Sequence, residues 1–236
     1  MAFRLPQEAP AGFLLTASHS DSPCFRLRDH AELTGEYIRL SAERYGGMIN
    51  DSWLDRPLSV AGRVLVRRKG GLEARLVDLK RDVALIPRVA IHLNRETNNG
   101  VKYDPARDLV ALYAAGTGSG SFYREVARTA DCAPEDVVAG DLVLYNNQPG
   151  TVWGPEGEFV SAPRLDDLAC VFACTEGFLT AQERDMVPVL CVFDNEEIGS
   201  ENQGRGRPPY SCRRRWRPSR RHWASPPADH RALLAD

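Results

Sequence analysis

The chain has 236 residues, 43% of them apolar and 26% charged, with a formal net charge of −2. That length can bury a core as one large domain or two small ones, and the composition excludes disordered and collagen-like classes. No apolar run reaches membrane-spanning length, and Met1-Ala-Phe-Arg-Leu-Pro6 has no secretory-signal pattern, so a cytoplasmic protein with no membrane partner is expected.

Phe13-Leu-Leu-Thr-Ala17 reads as a short apolar strand, stopped by Ser18-His19-Ser-Asp21-Ser-Pro23, which leaves His19 and Asp21 on the turn at its end. From about 36 to 160 the texture is β-rich with little helix. Val60–Val66, Leu72–Leu79 and Asp141–Tyr145 read as strands, with Gly70-Gly71 turning a hairpin. Gly116 to Ser121 reads as a flexible loop: no strand is expected to feed it and no P-loop lysine follows, so a phosphate cradle is disfavoured.

Leu168, Val171, Phe172, Glu176 and Phe178-Leu179 have the period of a helix with one apolar face, and Asp166 and Asp167 at its start suit the helix dipole. The six cysteines form no C-x-x-C pair and several lie in apolar runs, so they read as reduced core residues, Cys170 and Cys174 included. Val187-Pro-Val-Leu-Cys-Val-Phe193 is the most apolar run in the chain and reads as a buried strand ending at Glu196-Glu197. Residues 205–236 break the pattern. Arginines, prolines and Trp216 and Trp223 alternate there without a period, as a nucleic-acid-binding tail or a shifted reading frame would produce. The frameshift is the preferred reading, and nucleic acid is not the expected partner.

His19 and Asp21, Asp166, and Glu196 and Glu197 all stand at element ends, which one sheet edge can bring together. Carboxylates mixed with imidazole suit zinc, manganese or cobalt, and a bridging aspartate suits a dinuclear centre with ions about 3.5 to 4 Å apart. The plain alternative is a set of solvated acids and a helix cap.

Four motifs in order, His19-Ser-Asp21-Ser-Pro, Ile86-Pro-Arg-Val-Ala-Ile-His-Leu-Asn-Arg95, Ser161-Ala-Pro-Arg-Leu-Asp-Asp-Leu168 and Phe193-Asp-Asn-Glu-Glu-Ile-Gly-Ser200, resemble the aspartyl aminopeptidase family of dinuclear zinc peptidases. The resemblance covers about residues 1 to 204. It implies an α/β fold: a zinc-peptidase-like catalytic domain, here incomplete, formed by 1–35 and 161–204, with a β-rich dimerisation domain inserted at 36–160. His19, Asp166 and Glu197 would be zinc ligands, with Asp166 shared between two ions. Glu196 would be the general base, and Asp21 would orient the His19 imidazole. His92 would reach the partner subunit's site to bind substrate. The implied function is removal of N-terminal, chiefly acidic, residues from peptides, in a homo-oligomer.

The family's remaining aspartate and histidine ligands cannot be assigned in this sequence, and its N-terminal segment is almost absent. A chain truncated at both ends and weak or inactive alone is therefore expected. A noncatalytic oligomerisation subunit is the main alternative reading.

Overall fold

The computed structural model describes residues 1–6, 9–116, 118–181 and 185–199. The arginine-rich segment 205–236, with His222, Asp229 and His230, lies outside the described residues. In chain order the strands are β1 (Ala2–Phe3), β2 (Gly12–His19), β3 (Cys24–Leu33), β4 (Tyr37–Tyr45), β5 (Pro57–Arg68), β6 (Gly71–Asp78), β7 (Ala84–Leu85), β8 (Ala111–Ala115), β9 (Val137–Asn146), β10 (Thr151–Trp153), β11 (Phe159–Ser161) and β12 (Met186–Phe193). The helices are α1 (Pro105–Asp108), α2 (Ser121–Thr129) and α3 (Leu165–Thr180). Two compact units result, one built from Met1–Ser22 and the chain from Arg164 onward, the other from the continuous stretch Pro23–Pro163.

The first unit is a sheet in the order β1-β12-β2, with β1 antiparallel and β2 parallel to β12. Leu190 and Val192 of β12 pack with Phe178 and Cys174 of α3, while Val187, Val189 and Cys191 form a separate cluster with Met1, Phe3 and Phe193. Successive β12 side chains point to opposite faces, and both faces find apolar neighbours. That is why the run shows no polar alternation. Phe178 is the only buried residue of α3, and Phe172 is 69% exposed, so the apolar face read from the helical period is only partly covered. Cys170 is exposed and Cys191 buried, which corrects the uniform core reading of the cysteines.

The second unit is a sheet in the order β6-β5-β7-β8-β4-β3-β9, closed by pairing of β9 with β5. Closure places Phe25, Leu40, Leu58, Val60, Val64 and Leu144 in one core with Phe122 and Val126 of α2. Gly62 makes the β5–β9 approach possible. Its φ is +149°, and a Cβ there would collide with the Asp141 carbonyl oxygen. The β5–β6 hairpin turns at Lys69-Gly70, and Gly71 already pairs with Arg68.

The Gly116–Ser121 segment differs from expectation. Strand β8 ends immediately before it and α2 begins at Ser121. The anion at this helix start is the protein's own: the Glu32 carboxylate accepts the main-chain N–H groups of Gly120 at 2.6 Å and Phe122 at 3.2 Å. Glu32 sits beyond an irregularity in the β3–β4 register, where Tyr123 Oη also accepts the Ala31 N–H at 2.9 Å.

Candidate metal centre

Parallel pairing ends β2 and β12 at the same edge, with His19 opposite Phe193. Ser20 adds one further bond, its N–H donating to the Phe193 carbonyl at 2.8 Å. His19 is therefore the last residue of the strand, not the first of the turn, and its ring inherits the strand's fixed direction. Beyond β12 the backbone passes through Asn195 at φ 113° into a single 3-10 turn, Glu196–Ile198. That turn presents the amides of Glu196 and Glu197 to the Asp21 carboxylate, which accepts them at 3.1 and 3.0 Å.

Asp21 also faces His19. The imidazole Nδ1 lies 3.0 Å from the Asp21 carbonyl oxygen and 3.3 Å from its Oδ1. Donation from Nδ1 to these oxygens assigns the tautomer that leaves Nε2 with its lone pair, as metal-bound histidines require. Around Nε2 stand Asp166 Oδ1 at 3.4 Å, Glu196 Oε2 at 3.8 Å and Asp167 Oδ2 at 3.9 Å. Burial pulls the His19 pKa down, but the Asp21 carbonyl and the charges of Asp167, Asp21 and Glu196 outweigh it and hold the value above 6.5. An imidazole so surrounded attracts a proton or a cation.

Asp166 and Asp167 are neighbours in different environments. Both have non-helical backbone angles at the head of α3, and the peptide between them is cis. Asp166 is extended there and its side chain is 89% exposed. Asp167 is 17% exposed, and its Oδ2 accepts the His19 N–H at 3.1 Å. The Cys170 thiol foremost, and then that amide, lower the Asp167 pKa. Ser22 Oγ donates to the Asp166 carbonyl at 3.2 Å, tying the turn after β2 to the same place.

Two sets of donors result, His19 with Glu196 and Glu197, and His19 with Asp166 and Asp167, each with ligand atoms within 4.8 Å of one another. Zinc binds imidazole and carboxylate at about 2.0 to 2.2 Å, so both sets lie within a small side-chain adjustment of coordination. Hard oxygens with a neutral imidazole are the donor chemistry that zinc accepts. His19, Asp21, Asp166, Glu196 and Glu197 are thus brought together. His92 belongs to the other unit, on an exposed turn where Leu93 and Asn94 donate to the Ala90 carbonyl at 2.9 and 3.3 Å. Asp167 reads in the sequence only as a helix cap; its carboxylate also accepts the main-chain N–H of His19, 148 positions back in the chain, which no local pattern records.

A family model described as "Aminopeptidase I zinc metalloprotease (M18)" matches residues 1–207. A "Probable M18 family aminopeptidase 2" of Clostridium acetobutylicum is 40% identical over 202 residues, covering 81% of this chain and 46% of that protein. Among solved structures, one described as "Cryo-EM structure of the Ape4 and Nbr1 complex" superposes with a TM-score of 0.76 at 28% identity, covering 84% of this chain and 43% of that one. Another, "Structure of S. cerevesiae mApe1 dodecamer", gives 0.67 at 29% identity, covering 84% and 47%. The chain spans about half the length of the relatives it matches. With the match extending through 207 residues and carrying the whole carboxylate–imidazole cluster, the chain belongs to the M18 family of aminopeptidases, the aminopeptidase I zinc metalloproteases.

Proposed function

We propose that this chain carries part of the active site of a zinc-dependent aminopeptidase of the aspartyl aminopeptidase type, which removes single residues from the N-terminus of peptides. The observation that carries the reading is the convergence on His19 of Glu196 and Glu197, beyond the end of the parallel strand β12, and of Asp166, at the head of α3. His19 and Asp166 would hold one ion, and Asp166 and Glu197 a second, with manganese or cobalt as alternative metals. Bound zinc supplies Lewis acidity, which acidifies a water and polarises the scissile carbonyl.

Glu196 is the general base. Its side chain is 52% exposed and its Oε2 stands 3.8 Å from His19 Nε2, so it reaches both the cluster and a peptide arriving from solution. Its carboxylate takes the proton of the attacking water and returns it to the departing amine nitrogen. Asp21 keeps the imidazole in its Nε2-ligating form and keeps the Glu196–Glu197 turn in place. Each ion would have two protein ligands from the described residues, against three in typical catalytic zinc sites, so these donors alone bind zinc weakly and support low turnover.

In the same reading, the first unit is the α/β catalytic part and the second an inserted dimerisation domain, whose His92 contacts substrate in a partner subunit. An acidic N-terminal residue is the favoured substrate, and a cytoplasmic homo-oligomer the favoured state. Support for oligomerisation comes from the β10–β11 hairpin, where Trp153 stacks on Phe159 at 4.7 Å and Val152 and Val160 are 66% and 62% exposed.

The test is Glu196→Gln, assayed for zinc affinity and for hydrolysis of a glutamyl anilide. Unchanged affinity with turnover lowered about 10²- to 10⁴-fold is expected. Equal turnover in the variant would remove Glu196 from the chemistry.

A further inference from the structure

Asp167 lies outside the ligand and base assignments above, yet it is tied more closely to His19 than its neighbour is. Its Oδ2 accepts the His19 main-chain N–H at 3.1 Å but lies 3.9 Å from the ring Nε2, so its short contact is with the backbone and not with the ligating atom. Its side chain is 17% exposed, whereas Asp166 is 89% exposed and free to meet an ion from solution. Its other partner is the Cys170 thiol, one turn along α3. The link therefore joins the end of β2 to the head of α3, the two segments that carry His19 and Asp166.

We propose that Asp167 is a positioning residue of the metal centre, which fixes the His19 backbone against the head of α3 so that the imidazole and the Asp166 carboxylate face one point. The proposal rests on the zinc reading above. A partly buried acceptor on a main-chain amide holds a strand end in register without touching the metal, and outer partners of this kind typically contribute 10- to 100-fold in metal affinity. Because the duty is acceptance of an N–H, an amide oxygen keeps it, in a weaker bond than a carboxylate makes; a direct ligand would need the charge.

The experiment compares the whole chain with Asp167→Ala and Asp167→Asn. Hydrogen–deuterium exchange of the peptide containing His19 is read without metal, and zinc affinity is read by competition with a chromophoric chelator. Asp167→Ala is expected to raise exchange at His19 about tenfold and to weaken zinc roughly 10- to 100-fold. Asp167→Asn is expected to restore both to within about fivefold of wild type. Unchanged exchange in the alanine variant overturns the proposal, as does an asparagine variant that loses zinc as the alanine variant does, which would make Asp167 a ligand. If the alanine variant does not fold, the asparagine variant still decides between positioning and ligation. A wild-type chain that takes up no zinc defeats the metalloenzyme reading, and the exchange arm then decides the Asp167–His19 link by itself.

Discussion

Asp21 shows how much one side chain does here. Its carboxylate accepts two consecutive amides, Glu196 and Glu197, while its carbonyl oxygen holds His19 Nδ1, and the side chain is only 6% exposed. The sequence suggests only the link to His19, because two residues of spacing bring Asp21 beside the ring. The clamp on the glutamate turn spans 175 positions and needs the parallel pairing of β2 with β12. Asp21→Ala is therefore expected to release both the imidazole and the turn, lowering zinc affinity and turnover together by about 10- to 100-fold. A chelator competition and a steady-state assay on one preparation check this; loss of turnover with zinc affinity intact would show that the clamp is not structural.

At the scale of elements, the most legible parts were those with one strong signal. The unbroken apolar run of β12, the Val-rich β5 and the helical period of α3 each name their element directly. Less legible is the stretch from Cys24 to Tyr45, whose first part, up to residue 35, goes by sequence texture with the first unit but belongs to the second. Its evidence is the buried alternation of Ile38, Leu40 and Ala42 in β4, interrupted in β3 by the register shift before Glu32. Helix α2 is masked in the sequence although Phe122, Val126 and Ala130 keep helical spacing, because the glycines before it read as a loop and its anion, Glu32, is 88 residues away.

Gly62→Ala forces a side chain into the Asp141 carbonyl at a φ that favours glycine, and should cost roughly 1–3 kcal/mol of unfolding free energy in denaturant titrations. Glu125 on α2 is held below its ordinary value of 4.5 chiefly by the Arg81 guanidinium at 2.9 Å, against the opposing effect of burial and with help from Arg128. A depressed carboxylate contributes stability that is complete above 4.5 and lost as pH falls through the folded value. Glu125→Gln should therefore lower the melting temperature near neutrality and flatten its decline on acidification; parallel melting curves would contradict the ion pair's role.

For the whole molecule, both units carry exposed apolar side chains. The second has Leu76 at 83% and Leu93 at 82%, and the first has Leu14 and Leu15 of β2 at 58% and 67% and Phe172 of α3 at 69%. Parallel strands are normally covered on both faces, so the exposed side chains of β2 and α3 leave adhesive apolar area on the first unit. Leu15→Lys with Phe172→Lys should reduce binding of a hydrophobic fluorescent dye without altering zinc affinity, because neither residue touches the cluster. Among the described residues no helix is long and apolar enough to cross a membrane.

In the proposed mechanism Glu196 and Glu197, adjacent in one turn, divide base and ligand between them. Zinc titration calorimetry on the wild-type chain, Glu196→Gln and Glu197→Gln separates the two roles. Glu196→Gln is expected to bind zinc as the wild type does, and Glu197→Gln at least about tenfold more weakly. Equal affinity in all three, or loss confined to Glu196→Gln, would contradict it.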